Sequence, residues 1–286
     1  MRIKETRRGS LFPMMIGNLD SWLRSPRTLL MMLFSLGTTF VLVTRYGNTI
    51  QFYSHSMNYV ESLSIFVMSG FNGLSMASIT FLIMVSEVPR RIAFQQYCVI
   101  RSNRVRWAVS QILYCLVTVL FMMFFLILIA SILLLQYSSE GSGWSDTLRI
   151  AAGMDPDMAY VPEWIRNTYT PTQALVLALI PLFFFWFTMV LVIMLFSILG
   201  KPSIGIAIYS VILFASLIFP FELFPQIDPP TTFATLIRIG YNHEEHYALR
   251  LQQVFIGYVV LTTGLIGVIM SVSKRIEIPT YSMHKQ

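Results

Sequence analysis

The chain has 286 residues, 55 % hydrophobic and only 12 % charged, with a mean hydropathy of +0.65. Soluble domains carry about 25 % charged residues, so this composition excludes an ordinary soluble globular domain and marks an integral membrane protein. The net charge of +6 resides in segments flanking apolar runs, where lipid and topology account for it and nucleic acid is not expected as a partner; two cysteines, Cys98 and Cys115, exclude a disulfide framework.

The basic N-terminal stretch is interrupted by Pro13, Gly17, Asn18 and Asp20, so no cleaved signal peptide is expected. Leu11, Phe12, Met15, Ile16, Leu19, Trp22 and Leu23 recur at three- and four-residue spacing, with Asn18, Asp20, Ser21 and Arg24 elsewhere on the wheel. This predicts an amphipathic helix over residues 10–25 lying in the inner membrane interface, with Ser10 as its cap and Pro26 as its breaker. Crossing a hydrocarbon layer of about 30 Å takes about 20 apolar helical residues. Six segments qualify, near 28–44, 64–85, 107–136, 172–199, 203–219 and 253–272. The first and fifth are short, and the third and fourth are long enough to tilt or project.

Segments 1–27, 85–107, 199–203 and 273–286 hold fifteen of the twenty lysines and arginines, which predicts that both termini face the cytosol. The segments assigned outside hold ten of the fourteen acids, Glu61 among them. The chain is thus expected to be one multi-pass transmembrane domain, 1–286.

The second span carries Gly70, Gly73 and Ala77, which permit close helix approach, and Ser69, Asn72 and Met76 at helical spacing. Helix packing and a translocation path both use such a face. The stretch that follows, SEVPRRIAFQQYCVIRSNRVRW, places Val88, Ile92 and Val99 on one narrow face with Arg90 and Arg101 opposite. A short amphipathic cytosolic helix is expected there; the alternative is that its arginines only set topology. Tyr137 to Pro171 starts as a flexible loop, and PEWIRNTYTP reads as a short helix. The fourth span contains Phe183, Phe184, Phe185 and Trp186, which with the methionines suit an adaptable apolar surface for a lipid-like or peptide substrate; lipid-facing bulk explains them equally well. LGKPS between spans four and five reads as a tight turn. After span five, four prolines in eleven residues forbid a regular helix, and the apolar run Thr232–Ile239 is long enough only for a half-inserted hairpin.

None of the six spans contains Asp, Glu, Lys, Arg or His. Proton-coupled carriers and voltage sensors need such groups at membrane depth, and a sodium-coupled carrier using backbone carbonyls at broken helices is disfavoured rather than excluded, so energy for any transport is expected from another subunit. His243 and His246, at i and i+3 in His-Glu-Glu-His, offer two metal ligands without the His-Glu-x-x-His order or an apparent third ligand. A membrane-embedded metal-dependent enzyme using that segment, or a non-catalytic accessory or channel subunit, are the alternative readings. No nucleophile elbow and no phosphate-binding glycine loop are present.

Six spans, an interfacial N-terminal helix, a helical loop between spans two and three, and a proline-rich external segment before span six together resemble the membrane subunit of a type-2 ABC exporter. The local pattern Glu87-x-Pro89, Gln95-Gln96-Tyr97, Ile100-Arg101-Ser102 and Arg104-x-Arg106-Trp107 is similar to that of small bacterial permeases of this family. The resemblance implies that the loop is a coupling helix, with Glu87, Arg90, Arg91, Phe94, Gln95 and Tyr97 binding a separate ABC ATPase subunit. It also implies a second permease subunit, in a homo- or heterodimer, and a path lined by Ser69, Asn72 and Met76. The chain itself would hold no cofactor or metal and would not be an enzyme; ATP and Mg would belong to the ATPase subunit. An apolar peptide, antibiotic or lipid-like molecule is the expected substrate.

Overall fold

The computed structural model describes residues 11–52, 57–68, 75–86, 88, 104–139, 141, 143–145, 148, 163–218 and 247–275. Helix α1 (Leu11–Leu23) is followed by α2 (Pro26–Phe52), β1 (Met57–Asn58), α3 (Tyr59–Met68) and α4 (Ser75–Val85). Then come α5 (Arg104–Leu134), a single 3-10 turn (Leu135–Tyr137), β2 (Ser138–Ser139) and α6 (Glu163–Thr168), and finally α7 (Pro171–Ile198), α8 (Pro202–Ile218) and α9 (Tyr247–Arg275). Four helical stretches are long and apolar enough to cross a membrane: Pro26–Thr44, Arg104–Tyr137, Pro171–Ile198 and Phe255–Lys274. The protein is therefore an all-α membrane protein. The second apolar segment of the sequence is represented by α3 and α4, whose joining residues 69–74 lie outside the described set, and the fifth by the 17-residue α8.

Helix α1 has three faces, because 13 residues of helix present more than a single apolar stripe. Met14, Asn18 and Trp22, spaced four apart, are buried against α5, where the Trp22 ring meets Phe121 edge-on at 5.2 Å. Phe12, Ile16 and Leu23 are exposed on a second face, and the exposed Asp20 and Arg24 pair at 2.9 Å on a third. Asn18 thus departs from the expected polar side: it lies between Met14 and Trp22 on the face that packs.

Helix α2 also departs from expectation. It runs 27 residues, about 40 Å at 1.5 Å per residue, and continues eight residues past Thr44. The extension is held because Gly47 lies beneath the ring of Tyr137; any Cβ at that position would overlap the ring. A span estimated from apolarity alone stops where the apolar run stops, whereas a helix ends where its packing ends.

Helix α7 is the axis of the bundle. It packs on α3, α4, α5, α8 and α9, and 61 % of its most apolar window is buried, against 28 % for those of α2 and α5 and 17 % for that of α9. It begins with a reciprocal cap: Thr170 Oγ1 accepts from the Gln173 N–H at 3.4 Å and Gln173 Oε1 from the Thr170 N–H at 3.0 Å, with Pro171 as the first helical residue. It ends at Gly200, whose φ of +79° suits glycine, with the Lys201 N–H bonding back to the Phe196 carbonyl at 2.8 Å. Pro202 then opens α8, so the expected tight turn is a glycine-terminated helix end.

The two ends of the bundle differ. The Cys115 thiol lies 3.9 Å from Met194 Sδ, so the start of α5 and the end of α7 share one end. At that end Arg104 donates to the Lys274 carbonyl of α9 at 3.4 Å, and Lys201 closes the α7–α8 turn. Glu61 lies at the other end, where α3 and α7 begin and α5 stops.

Close approach of α8 to α7 depends on Gly205: a Cβ there would sit 2.8 Å from Ile193 Cα. Gly205→Leu is expected to lower the thermal unfolding midpoint in detergent, by about 1–3 kcal/mol of overpacking. Gly37→Ala, where nothing lies within 4 Å, should be neutral or gain up to about 1 kcal/mol of helix propensity. Equal effects at the two glycines would contradict this packing.

Candidate functional site

Two polar constellations stand out in a bundle otherwise held by apolar contacts. The first is deep in the core, centred on Ser78 of α4. Trp186 Nε1 of α7 donates to Ser78 Oγ at 2.9 Å, and the Tyr209 hydroxyl of α8 donates to the Ser78 carbonyl at 2.9 Å. Phe81, one turn on from Ser78, stacks on the Trp186 indole with ring centroids 4.8 Å apart and planes 11° from parallel. Phe185 and Tyr209 are in contact at 5.9 Å. Ser78, Phe81, Phe185, Trp186 and Tyr209 are all fully buried. Nearby, the hydroxyls of Thr188 on α7 and Thr262 on α9 lie 2.9 Å apart. Hydrocarbon offers no partner to a polar side chain, so a lone Ser, Tyr or Trp N–H in these helices fixes how neighbouring helices meet. One residue of α4 is thereby tied to two other helices.

This placement revises the expectation for Phe183–Trp186. Phe183 and Phe184 are half-buried, Phe184 meeting Phe255 and Tyr258 of α9, while Phe185 and Trp186 belong to the core and do not form an open surface.

The second constellation is a clasp at the opposite end, built on the Glu61 carboxylate. Asn58 precedes the first helical residue of α3, and its N–H donates to Glu61 Oε2 at 3.2 Å. The same carboxylate accepts the Ser145 N–H at 3.1 and 3.2 Å and the Ser145 hydroxyl at 3.0 Å. The Asn58 side-chain amide donates to the Gly143 carbonyl, and β1 pairs in parallel with β2, Met57 opposite Ser138. Ser64 Oγ donates to the Pro171 carbonyl, and Trp144 Nε1 to the Tyr169 carbonyl, each at 2.7 Å. The stretch after Tyr137, expected as flexible loop, is thus anchored at Ser138 by the strand pairing, at Gly143 by Asn58, at Trp144 by the Tyr169 carbonyl and at Ser145 by a carboxylate 84 residues earlier. The expected short helix within PEWIRNTYTP is α6.

Glu61 is fully buried, and burial pushes its pKa above the ordinary carboxylate value, against the opposing pull of the Ser145 and Asn58 hydrogen bonds and the Arg166 charge. Arg166 Nε is buried without a hydrogen-bond partner among the described residues.

Of the residues singled out in the sequence, Glu87, Arg90, Arg91, Phe94, Gln95 and Tyr97 lie outside the described residues, as do Ser69, Asn72, His243 and His246. Met76 is in α4, with its side chain also outside the described set. Two flanks of the expected coupling segment are described. Val88 is 3 % exposed within the main core, and Arg104 opens α5. Among the described residues no three His, Cys, Asp or Glu side chains group as a metal site.

The sequence reading passed over both constellations. Asn58-x-x-Glu61 and Thr170-x-x-Gln173 are legible capping-box spacings. Nothing local pairs Ser78 with Trp186 and Tyr209, which are 108 and 131 residues away.

No family model, curated protein or solved structure matches the chain.

Two variants test the clasp. Glu61→Ala leaves the half-buried Ser145 N–H and hydroxyl and the Asn58 N–H without their acceptor, and should destabilise the protein by about 1–3 kcal/mol in all. The second test is pH. Because the folded pKa is raised, ionised Glu61 costs stability near neutrality, and that cost is relieved as pH falls through the raised pKa toward the ordinary 4.5. The unfolding midpoint of the wild type should therefore gain on that of Glu61→Gln as pH is lowered over this window. Parallel pH profiles would show that the carboxylate is not desolvated.

Proposed function

We propose that the chain is the membrane-spanning subunit of an ATP-driven type-2 ABC exporter. It pairs with a second permease subunit and couples to a separate ATPase on the cytosolic side. In this reading six segments cross the membrane, with α3 from Ser64 onward and α4 belonging to the second and α8 to the fifth, Glu61 lies outside the second span, and the basic end of the bundle faces the cytosol.

The observation that carries the reading is where the segment 89–103 leaves and rejoins the bundle. Val88 at its start is buried in the main core, and Arg104 at its end bonds to the Lys274 carbonyl, so both attachments are at the basic end. A helix there, bearing Arg90, Arg91 and Phe94, meets a cytosolic partner, while its apolar side rests on the bundle. The direction of the helices supports the same topology, since Arg104, Lys201 and Lys274 gather at one end and Glu61 at the other.

The mechanism follows from the connection of that segment to α4. ATP-driven closure of the ATPase pair displaces the coupling helix. Val88 and Val85 pass the displacement into α4, and Ser78 passes it to α7 through Trp186 and to α8 through Tyr209. Ser69, Asn72 and Met76 then line the path that opens. None of the six apolar segments, as bounded from the sequence, holds Asp, Glu, Lys, Arg or His, so ATP alone drives the cycle.

Docking and topology make different demands on the same residues. Topology counts charges and treats arginine and lysine alike, whereas docking uses the guanidinium fork and the aromatic ring. The variant Arg90→Lys, Arg91→Lys, Phe94→Ala keeps the formal charge and should insert normally. It should lose its ATPase on purification, because truncating a buried aromatic anchor costs about 2 kcal/mol or more. Unchanged co-purification and unchanged ATP-driven transport would overturn the docking role.

A further inference from the structure

A cavity of about 30 Å³ lies among α2, α3, α4, α5 and α7, roughly twice the space that one water needs. Its floor is Thr39, Ala77 and Trp186, all buried; its rim includes the half-buried Thr38 of α2 and Met123 of α5, helices whose neighbouring Phe40 and Phe124 are exposed on the surface of the bundle. Among the described residues no charged side chain lines it.

Two of its few polar groups are already engaged. The Thr38 hydroxyl lies 3.0 and 3.1 Å from the Phe34 and Ser35 carbonyls, and the Trp186 N–H is given to Ser78. Thr39 is the one other lining residue with a side-chain hydroxyl. A buried water needs two to four polar partners, so the chamber does not suit water, and a dry apolar cavity takes apolar guests. An open space of this size beside a membrane-exposed rim accepts something narrow and unbranched.

We infer that this cavity receives the end of an alkyl chain, and that the transported molecule carries one. The second half of the inference rests on the exporter reading; the binding site does not. Trp186 gives the site a consequence: it lines the cavity and holds Ser78 of α4, so a chain end entering against the indole acts on the same node that joins α4 to α7.

The test is photolabelling of the purified full chain in bilayers, with no ATPase present, using a fatty acid that bears a diazirine at its chain end. Labelled residues are mapped by mass spectrometry. Label is expected on Trp186 and Met123 as well as on the exposed Phe124. Ala77→Leu fills the floor and should abolish the Trp186 label while the Phe124 label and the unfolding midpoint persist; Ala77→Val, a smaller change, should reduce it and serves if the leucine variant does not fold. A phospholipid with the same chain-end diazirine forms the second arm. Trp186 label from the fatty acid alone assigns the site to single-chain guests, and label from both assigns it also to bilayer lipid. Label confined to exposed residues in both arms, or Trp186 label unchanged in the folded Ala77 variants, would overturn the inference. Either result leaves the docking test of the exporter reading standing, and failure of that test leaves the labelling intact.

Discussion

Inside an apolar bundle surrounded by hydrocarbon, every polar side chain must find its partner within the protein, and the arrangement of these helices follows from that constraint. Ser78 has two such partners, from α7 and α8, and Thr188 and Thr262 join α7 to α9. Interhelical hydrogen bonds of this kind are worth only about 0.6 kcal/mol each on average, so their contribution is to select one register among many apolar packings. Stability comes instead from contact between surfaces. Gly205 lets the α8 backbone lie against Ile193, Trp186 stacks on Phe81, and α7 buries most of its length.

The same node links structure to the proposed activity. Helix α4 is short, and the segment proposed to couple to an ATPase follows it after only a turn, with Val88 still in the core. In the proposed mechanism, movement at the basic end enters the bundle through α4 and reaches α7 and α8 at Ser78. At the far end the Glu61 clasp joins the start of α3 to the stretch after α5, and Ser64 joins α3 to α7.

Much of this architecture was legible in the sequence for a simple reason. Apolar length reports membrane crossing directly, and capping chemistry is local. The α7 start at Thr170-Pro171 and its end at Gly200 follow from three or four adjacent residues. What was not legible depended on tertiary partners. Asn18 is polar by type yet buried, because α5 passes beside it. The extension of α2 past Thr44 needed Tyr137, ninety residues away from Gly47. The stretch Gly143–Ser145 has a loop's composition, but a buried carboxylate orders it. Trp186 was visible only as bulk in a run of aromatics, since its N–H finds a serine 108 positions earlier.

The central claim is that the basic end of the bundle, with the segment between α4 and α5, faces the cytosol and an ATPase. It is tested most directly by cysteine accessibility in intact cells, in a Cys98→Ser background that keeps the buried Cys115. A cysteine at Ser142 should react with an impermeant thiol reagent added outside. One at Ser102 should react only after the membrane is permeabilised. Labelling of Ser102→Cys from outside, with Ser142→Cys protected, would invert the topology and contradict the account.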